Sequence, residues 1–179
     1  MGRKAGCELV HKCVSALVDE DPRRVVVAFD ACNAFGSMPR QSVWEGVLNR
    51  VPDLAPTVAA WLGRTTVHVH WDQRGQATGI KASSGVDQGC PLSPLLFALG
   101  MAKPLDDIAT QLRALEATAQ VFAYLDDVVV VVSPEHAEEA YAIVERNLTA
   151  CGLTLNADKT KLWTKSAESR AVLPPDLAN

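Results

Sequence analysis

Two runs of strand-forming residues limit what this chain can become: Val25-Val26-Val27-Ala28-Phe29, and Val128 to Val132 with Val121-Phe122-Ala123 shortly before it. Strands apolar at nearly every position belong in the middle of a sheet covered on both faces. Both runs meet acids at their ends. Asp30 closes the first run, and 96 positions later Asp126 and Asp127 fill the bend before the second. One aspartate in a tight hairpin is ordinary turn chemistry. Two side by side repel one another, and the pair becomes favourable chiefly beneath a cation. A carboxylate at the end of a buried strand is aimed at an edge or cleft, so Asp30, Asp126 and Asp127 are predicted to converge at one end of neighbouring strands. Three aspartates suit Mg²⁺ far better than Zn²⁺, because Mg²⁺ takes hard oxygen ligands and is usually held by one or two carboxylates plus substrate phosphates. Two such ions about 4 Å apart form the clamp used for in-line phosphoryl transfer.

The rest of the chain reads as one mixed domain of helices and strands without repeats. Val10, Val14, Leu17 and Val18 recur at helical spacing over residues 5–19. Pro39 opens a helical stretch that Pro52 breaks, and a short helix follows over 55–62. Thr66 to Trp71 alternates Val67, Val69 and Trp71 against His68 and His70, which predicts a strand with one wet face; Asp72-Gln73-Arg74-Gly75 turns it into a return strand near 76–83. His68 and His70 have metal-binding spacing but no third ligand, and the reading of them as exposed residues is preferred. A long helix is expected from Pro91 or Ser93 toward Glu116, disturbed at Pro104. Ser133 is placed as the cap of a helix begun by Pro134, with Tyr141, Val144, Leu148 and Cys151 as its core stripe and Gly152 as its left-handed stop. A last strand near 160–164 precedes a polar tail, 166–179, that reads as frayed.

Between the two acidic sites lies Gly85-Val86-Asp87-Gln88-Gly89-Cys90-Pro91-Leu92-Ser93-Pro94-Leu95-Leu96-Phe97. It resembles the GxxQGxPLSPLLF signature of reverse transcriptases, most closely the non-LTR retrotransposon branch. Phe29-Asp30-Ala31-Cys32-Asn33-Ala34-Phe35, Tyr124-Leu125-Asp126-Asp127 and Gly152-Leu153-Thr154-Leu155-Asn156-Ala157-Asp158-Lys159-Thr160 resemble further segments of that family, in its order. The resemblance covers about residues 20–163. It implies an α+β polymerase palm: an antiparallel sheet backed by helices, with a ferredoxin-like core and an inserted β-hairpin, over 1–165. It also implies RNA-directed DNA polymerase activity with an RNA template, a DNA primer, dNTP and two Mg²⁺ ions, or Mn²⁺ in their place.

By the same resemblance, Asp30, the Ala31 carbonyl, Asp126 and Asp127 would hold the metals. Gln88, Gly89 and Pro91 would meet the nucleotide and template, and Tyr124 the primer terminus. Phe35 is either core or the steric gate against a ribose 2′-OH. Lys159 is either a solvated strand-end lysine or a cation beside the leaving pyrophosphate. The loop at 88–94 alone could simply lead into a proline-started helix. Asp87 stands where many relatives carry a basic or neutral residue. Fingers are expected to be incomplete and a thumb lacking, as in a fragment of a retroelement polyprotein. The alternative is a noncatalytic or vestigial palm that binds nucleic acid, and a viral RNA polymerase fits the Gln88–Pro94 segment less well.

With 179 residues, 48% of them hydrophobic, a substantial core is available. A net charge of −4 argues against a broad basic grip on nucleic acid, since phosphate neutralisation supplies most nonspecific affinity. Five cysteines without a CxxC pair indicate neither a disulfide framework nor a zinc ribbon. No membrane-spanning run or signal peptide is read, so an intracellular, reducing setting is expected, the nucleus included for a retroelement protein.

Overall fold

The computed structural model describes residues 5–172. In chain order the elements are α1 (Gly6–Glu20), β1 (Val25–Phe29), α2 (Ala34–Ser37), α3 (Arg40–Arg50), α4 (Ala55–Leu62), β2 (Thr66–Trp71), β3 (Ala77–Ala82), α5 (Ser93–Leu115), β4 (Gln120–Tyr124), β5 (Asp127–Val132), α6 (Ala137–Ala150), β6 (Lys161–Thr164) and α7 (Ala167–Val172). Single 3-10 turns stand at Pro52–Leu54 and Pro134–His136. The chain divides into two compact units. One takes the residues up to Cys32 and from Lys103 onward; the other is Asn33–Ala102. Each stretch closes a core of its own. The first buries Val25, Val27, Phe29, Val130, Ile108, Leu112 and Leu148, the second Met38, Val43, Val47, Phe97 and Leu99.

In the first unit the strands pair antiparallel in the order β4-β5-β1-β6. With α5 between β1 and β4, and α6 between β5 and β6, this is the βαββαβ arrangement of a ferredoxin-like core. The register sets Val25 against Val132 and Phe29 against Val128. Side chains alternate across a strand, so Val25, Val27, Phe29, Val128, Val130 and Val132 share one face. There α6 packs, its Tyr141 ring 5.6 Å from that of Phe29. The other face carries Val26, Val129 and Val131, covered by Val14, Leu17 and Val18 of α1. Helix α6 stops at Gly152, whose φ is 90°. The bonds Gly152 N–H to the Thr149 carbonyl and Leu153 N–H to the Leu148 carbonyl, both 2.9 Å, form a Schellman cap.

Three local expectations need correction. Ser133 does not cap the following turn with its side chain; its N–H and Oγ both donate to Glu116, at 2.8 and 3.0 Å. Helix α5 continues through Pro104, with Met101, Ala102, Ile108 and Leu112 buried on either side of it. The tail is not frayed at 167–172: α7 forms there, and Ser169, nearly fully buried, donates its Oγ to the Arg23 carbonyl at 2.8 Å. Residues 173–179 of the expected tail lie outside the described residues.

In the second unit, β2 and β3 form a separate two-stranded sheet. Both faces of this hairpin are wet, contrary to the one-wet-face expectation: Val67, Val69, Trp71 and Ile80 are all more than half exposed. Alternation here marks the pleat, not a buried side. Arg40 clamps the base of the hairpin, donating to the Leu62 and Arg64 carbonyls, to Thr66 Oγ1 and to the Gly85 carbonyl. Among the described residues, no helix is long and apolar enough to cross a membrane.

Candidate active site

Asp30 follows directly on β1, whose last paired residues are Phe29 and Val128. Continuing that register places Asp30 opposite Asp127, on the face shared with Val26 and Val129. Asp126 sits in the two-residue turn between paired Tyr124 and Asp127. The turn's unusual backbone angle falls on Leu125, with φ of 57°, rather than on an aspartate. Leu125 thus adopts a left-handed conformation that costs a non-glycine residue about 1–2 kcal/mol. This is the sign pattern of a hairpin with positive φ at its first central position, and it presents both acids on the open end of the hairpin.

The three acids interact. Burial pushes the Asp127 carboxyl above its ordinary value, and the negative charges of Asp126 and then Asp30 push it further the same way.

The segment after α6 holds Asp30 in place. Asp30 accepts a hydrogen bond at its carbonyl from Asn156 N–H (2.8 Å), and Cys32 N–H donates to the Thr154 carbonyl (2.8 Å). These bonds flank the bridge between Ala31 and Leu155. In such a pair the N–H and C=O of Ala31 point away from Leu155, toward the side on which β5 runs. The Asn156 carbonyl then gathers the N–H groups of Lys159 and Thr160 and the Thr160 hydroxyl. That tight turn brings Lys159 Nζ to 3.7 Å from Asp30 Oδ2. The lysine is two-thirds exposed, so the pair contributes little to stability.

Among the described residues, no group of three or more His, Cys, Asp or Glu side chains forms a ready metal cage. His68 and His70 accordingly make none; His68 Nε2 lies 3.3 Å from Asp87 Oδ1 instead. Mg²⁺ does not require a complete protein cage, since phosphate oxygens and water finish its shell. Carboxylate-only donors, crowded enough to raise the proton affinity of one of them, fit a hard divalent cation completed by substrate.

Tyr124 is 44% exposed, its ring against Gly6 at the start of α1. The same face holds a cavity of about 570 Å³ between α1 and the sheet, lined by Val14, Val18, Val26, Tyr124, Asp127 and Trp163 among others.

In the second unit, Phe35 is half-buried and stacks on fully buried Phe97, ring centroids 4.5 Å apart and planes 8° from parallel. It is therefore packed on one ring face without being enclosed. Gln88, Gly89 and Pro91 are all exposed. Their loop is tied to the segment bearing Phe35: Val86 N–H donates to the Phe35 carbonyl (2.9 Å) and Gly85 N–H to the Met38 carbonyl (2.8 Å). Gly85 has φ of 76°, and a Cβ there would overlap the Gly36 carbonyl oxygen, so the approach requires glycine. Reading the sequence did not reveal Arg40 or Leu125, because neither residue type announces a clamp or a strained turn. The pinning role of Thr154 and Asn156 was signalled only by their place in the Gly152–Thr160 segment.

Comparison with known proteins bears on this geometry. The family model described as reverse transcriptase (RNA-dependent DNA polymerase) matches residues 2–172. The retrotransposable element SLACS 132 kDa protein of Trypanosoma brucei gambiense is 35% identical over 139 residues, taking in 74% of this chain and 11% of that protein. Telomerase from Candida albicans, solved with a TWJ fragment of telomeric RNA, superposes with a TM-score of 0.68 at 14% identity, covering 89% of this chain and 30% of the telomerase. Apo telomerase from Candida tropicalis gives 0.68 at 13%, covering 92% and 33%. At those identities the likeness is one of fold, and the fold is an α+β palm. With a family match along nearly its whole length, and aspartates at the strand ends where the motifs lie, the chain belongs to the reverse transcriptase family.

Proposed function

We propose that this chain is the palm of an RNA-directed DNA polymerase, part of a longer retroelement protein, which joins dNTP units to a DNA primer 3′-hydroxyl on an RNA template. The observation that carries the reading is the gathering of Asp30, Asp126 and Asp127 at one end of the four-stranded sheet. Members of this family use divalent metals. Asp30, Asp126 and the Ala31 carbonyl would hold two Mg²⁺ ions, or Mn²⁺, with Asp127 in support. Bound there, the metals would lower the proton affinity of the primer hydroxyl and neutralise charge on the triphosphate.

The chain's own residues supply position and charge. Pairing of Ala31 with Leu155 holds the backbone beside Asp30, which matters because most of such catalysis is positioning and charge stabilisation. Lys159, beside Asp30, would meet the departing pyrophosphate once substrate competes for that carboxylate. Phe35 would crowd the ribose 2′ position, Gln88, Gly89 and Pro91 would contact nucleotide and template, and Tyr124 would pack on the primer end.

The test is primer extension by a protein completed with its fingers and thumb. Asp126→Asn should reduce extension at least about a hundredfold with the fold intact, and Asp127→Asn by less. Extension at the unmodified level by Asp126→Asn would overturn the assignment. Loss of extension in the unmodified completed protein would favour the noncatalytic reading.

A further inference from the structure

We propose that the β2–β3 hairpin is a second nucleic-acid contact, a stacking platform for a single-stranded stretch of RNA centred on Trp71. Three large apolar residues stand more than half exposed on one face of this hairpin, Val67 57%, Val69 58% and Trp71 65%, with Ile80, 54% exposed, on the other. An isolated two-stranded hairpin is marginal in water, yet this one is held at its base by the Arg40 clamp, which leaves its body clear of the core. An ordered, uncovered apolar ribbon marks an interaction surface.

The register shows the kind of partner. Trp71 pairs with Ala77 and Val69 with Gly79, so the two cross-strand neighbours nearest the indole carry almost no side chain. The ring is left open on its strand face, as a base-stacking surface must be. Val67 pairs with Lys81, which puts an ammonium on the face that carries Trp71. Arg74 stands at the tip, Arg64 at the base and His70 on the opposite face, all exposed. Within the hairpin the one acid is Asp72, whose Oδ1 is occupied by the N–H groups of Arg74 and Gln76, both at 2.8 Å. Asp87 lies against His68, on the face away from Trp71. An acidic chain thus sets one cation, Arg74, in the turn beside its most exposed aromatic ring and a second, Lys81, farther along the same strand face. Aromatic stacking combined with a cationic track is how single strands are held without sequence preference. A purely apolar protein partner would have no use for the flanking cations.

The platform uses none of the residues assigned to polymerisation; only the choice of RNA over DNA rests on that assignment. The test titrates the full chain with an RNA of about 12 nucleotides, following tryptophan emission and anisotropy without metal or dNTP. Trp71→Ala should weaken binding about fivefold or more and abolish the quenching, while Trp71→Phe should largely restore affinity. Arg74→Gln with Lys81→Gln should lower the slope of log affinity against log salt by about 1.4. Asp126→Asn should leave all of these unchanged, which separates this inference from the polymerase reading. Thermal midpoints near that of the unmodified chain are expected, since every altered residue is exposed. Affinity and quenching indifferent to Trp71 would overturn the proposal. So would equal competition by inorganic polyphosphate, or self-association that Trp71→Ala abolishes while RNA affinity stays fixed, which would make a second copy the partner.

Discussion

Phe35→Ala separates a gate from a packing residue because the geometry gives two magnitudes that need not move together. Its ring stacks on Phe97, and the residue as a whole is only partly buried. Full burial would make the truncation cost about 3–5 kcal/mol. Half of the smaller figure, plus about 0.5–1.5 kcal/mol for the stacked pair, gives about 2–3 kcal/mol. That corresponds to a fall in the thermal midpoint of about 5–10 °C for a chain of this size. Phe97→Ala provides the reference: Phe97 is fully buried and should cost the whole 3–5 kcal/mol or so. If Phe35 crowds the ribose, forcing a 2′-OH against it costs on the order of 1–3 kcal/mol, as overpacking does. Removing the ring should then raise ribo- over deoxynucleotide efficiency about 5- to 150-fold in a completed polymerase. The assays are single-nucleotide incorporation and thermal melting on the same preparation. A lowered midpoint with an unchanged sugar ratio would refute the gate and leave Phe35 as packing.

Glu116 offers a pH test. Burial pushes its carboxyl up, but donors from Ser133 N–H, Thr118 and the Ser133 hydroxyl together outweigh that and hold it below the ordinary 4.5. A depressed folded value stabilises above the unfolded value and is lost as pH falls through the folded one, so Glu116→Gln should cost about 1–2 kcal/mol at pH 7 and nearly nothing well below pH 4 in urea melts. Gly85→Ala should cost more than about 2 kcal/mol, combining a left-handed residue with overlap on Gly36; Gly89→Ala, also left-handed but with open space around it, should cost only about 1 kcal/mol, and equal losses would count against the close approach.

What the sequence disclosed about this molecule depended on the range of the interaction. The Val25–Phe29 and Val128–Val132 strands, the Tyr124–Asp127 bend and the Gly152 stop were legible because period, apolar runs and left-handed glycine are local signals. The placing of acids at strand ends was legible for the same reason. Long-range polar contacts were not: nothing near Arg40 indicates that its guanidinium reaches Leu62, Arg64, Thr66 and Gly85, or that Glu116 takes Ser133 away from its capping role. The exposure of Val67 and Val69 was hidden too, since alternation fixes which residues share a face but not whether anything covers it. The division into two units follows from which segments close a core together, which the order of elements does not reveal.

The pairing of Ala31 with Leu155 also has a consequence for the order of assembly. The β4–β5 hairpin brings its two acids together through neighbours in the chain, and hairpins of that kind form in about microseconds. Asp30 must wait for a partner more than a hundred positions away, and contacts of such separation are the slow ones. During synthesis, a nascent chain in which all three aspartates have been joined still lacks Thr154 and Asn156, the residues that fasten Asp30. Translation thus supplies every acid before it supplies the segment that makes them one site.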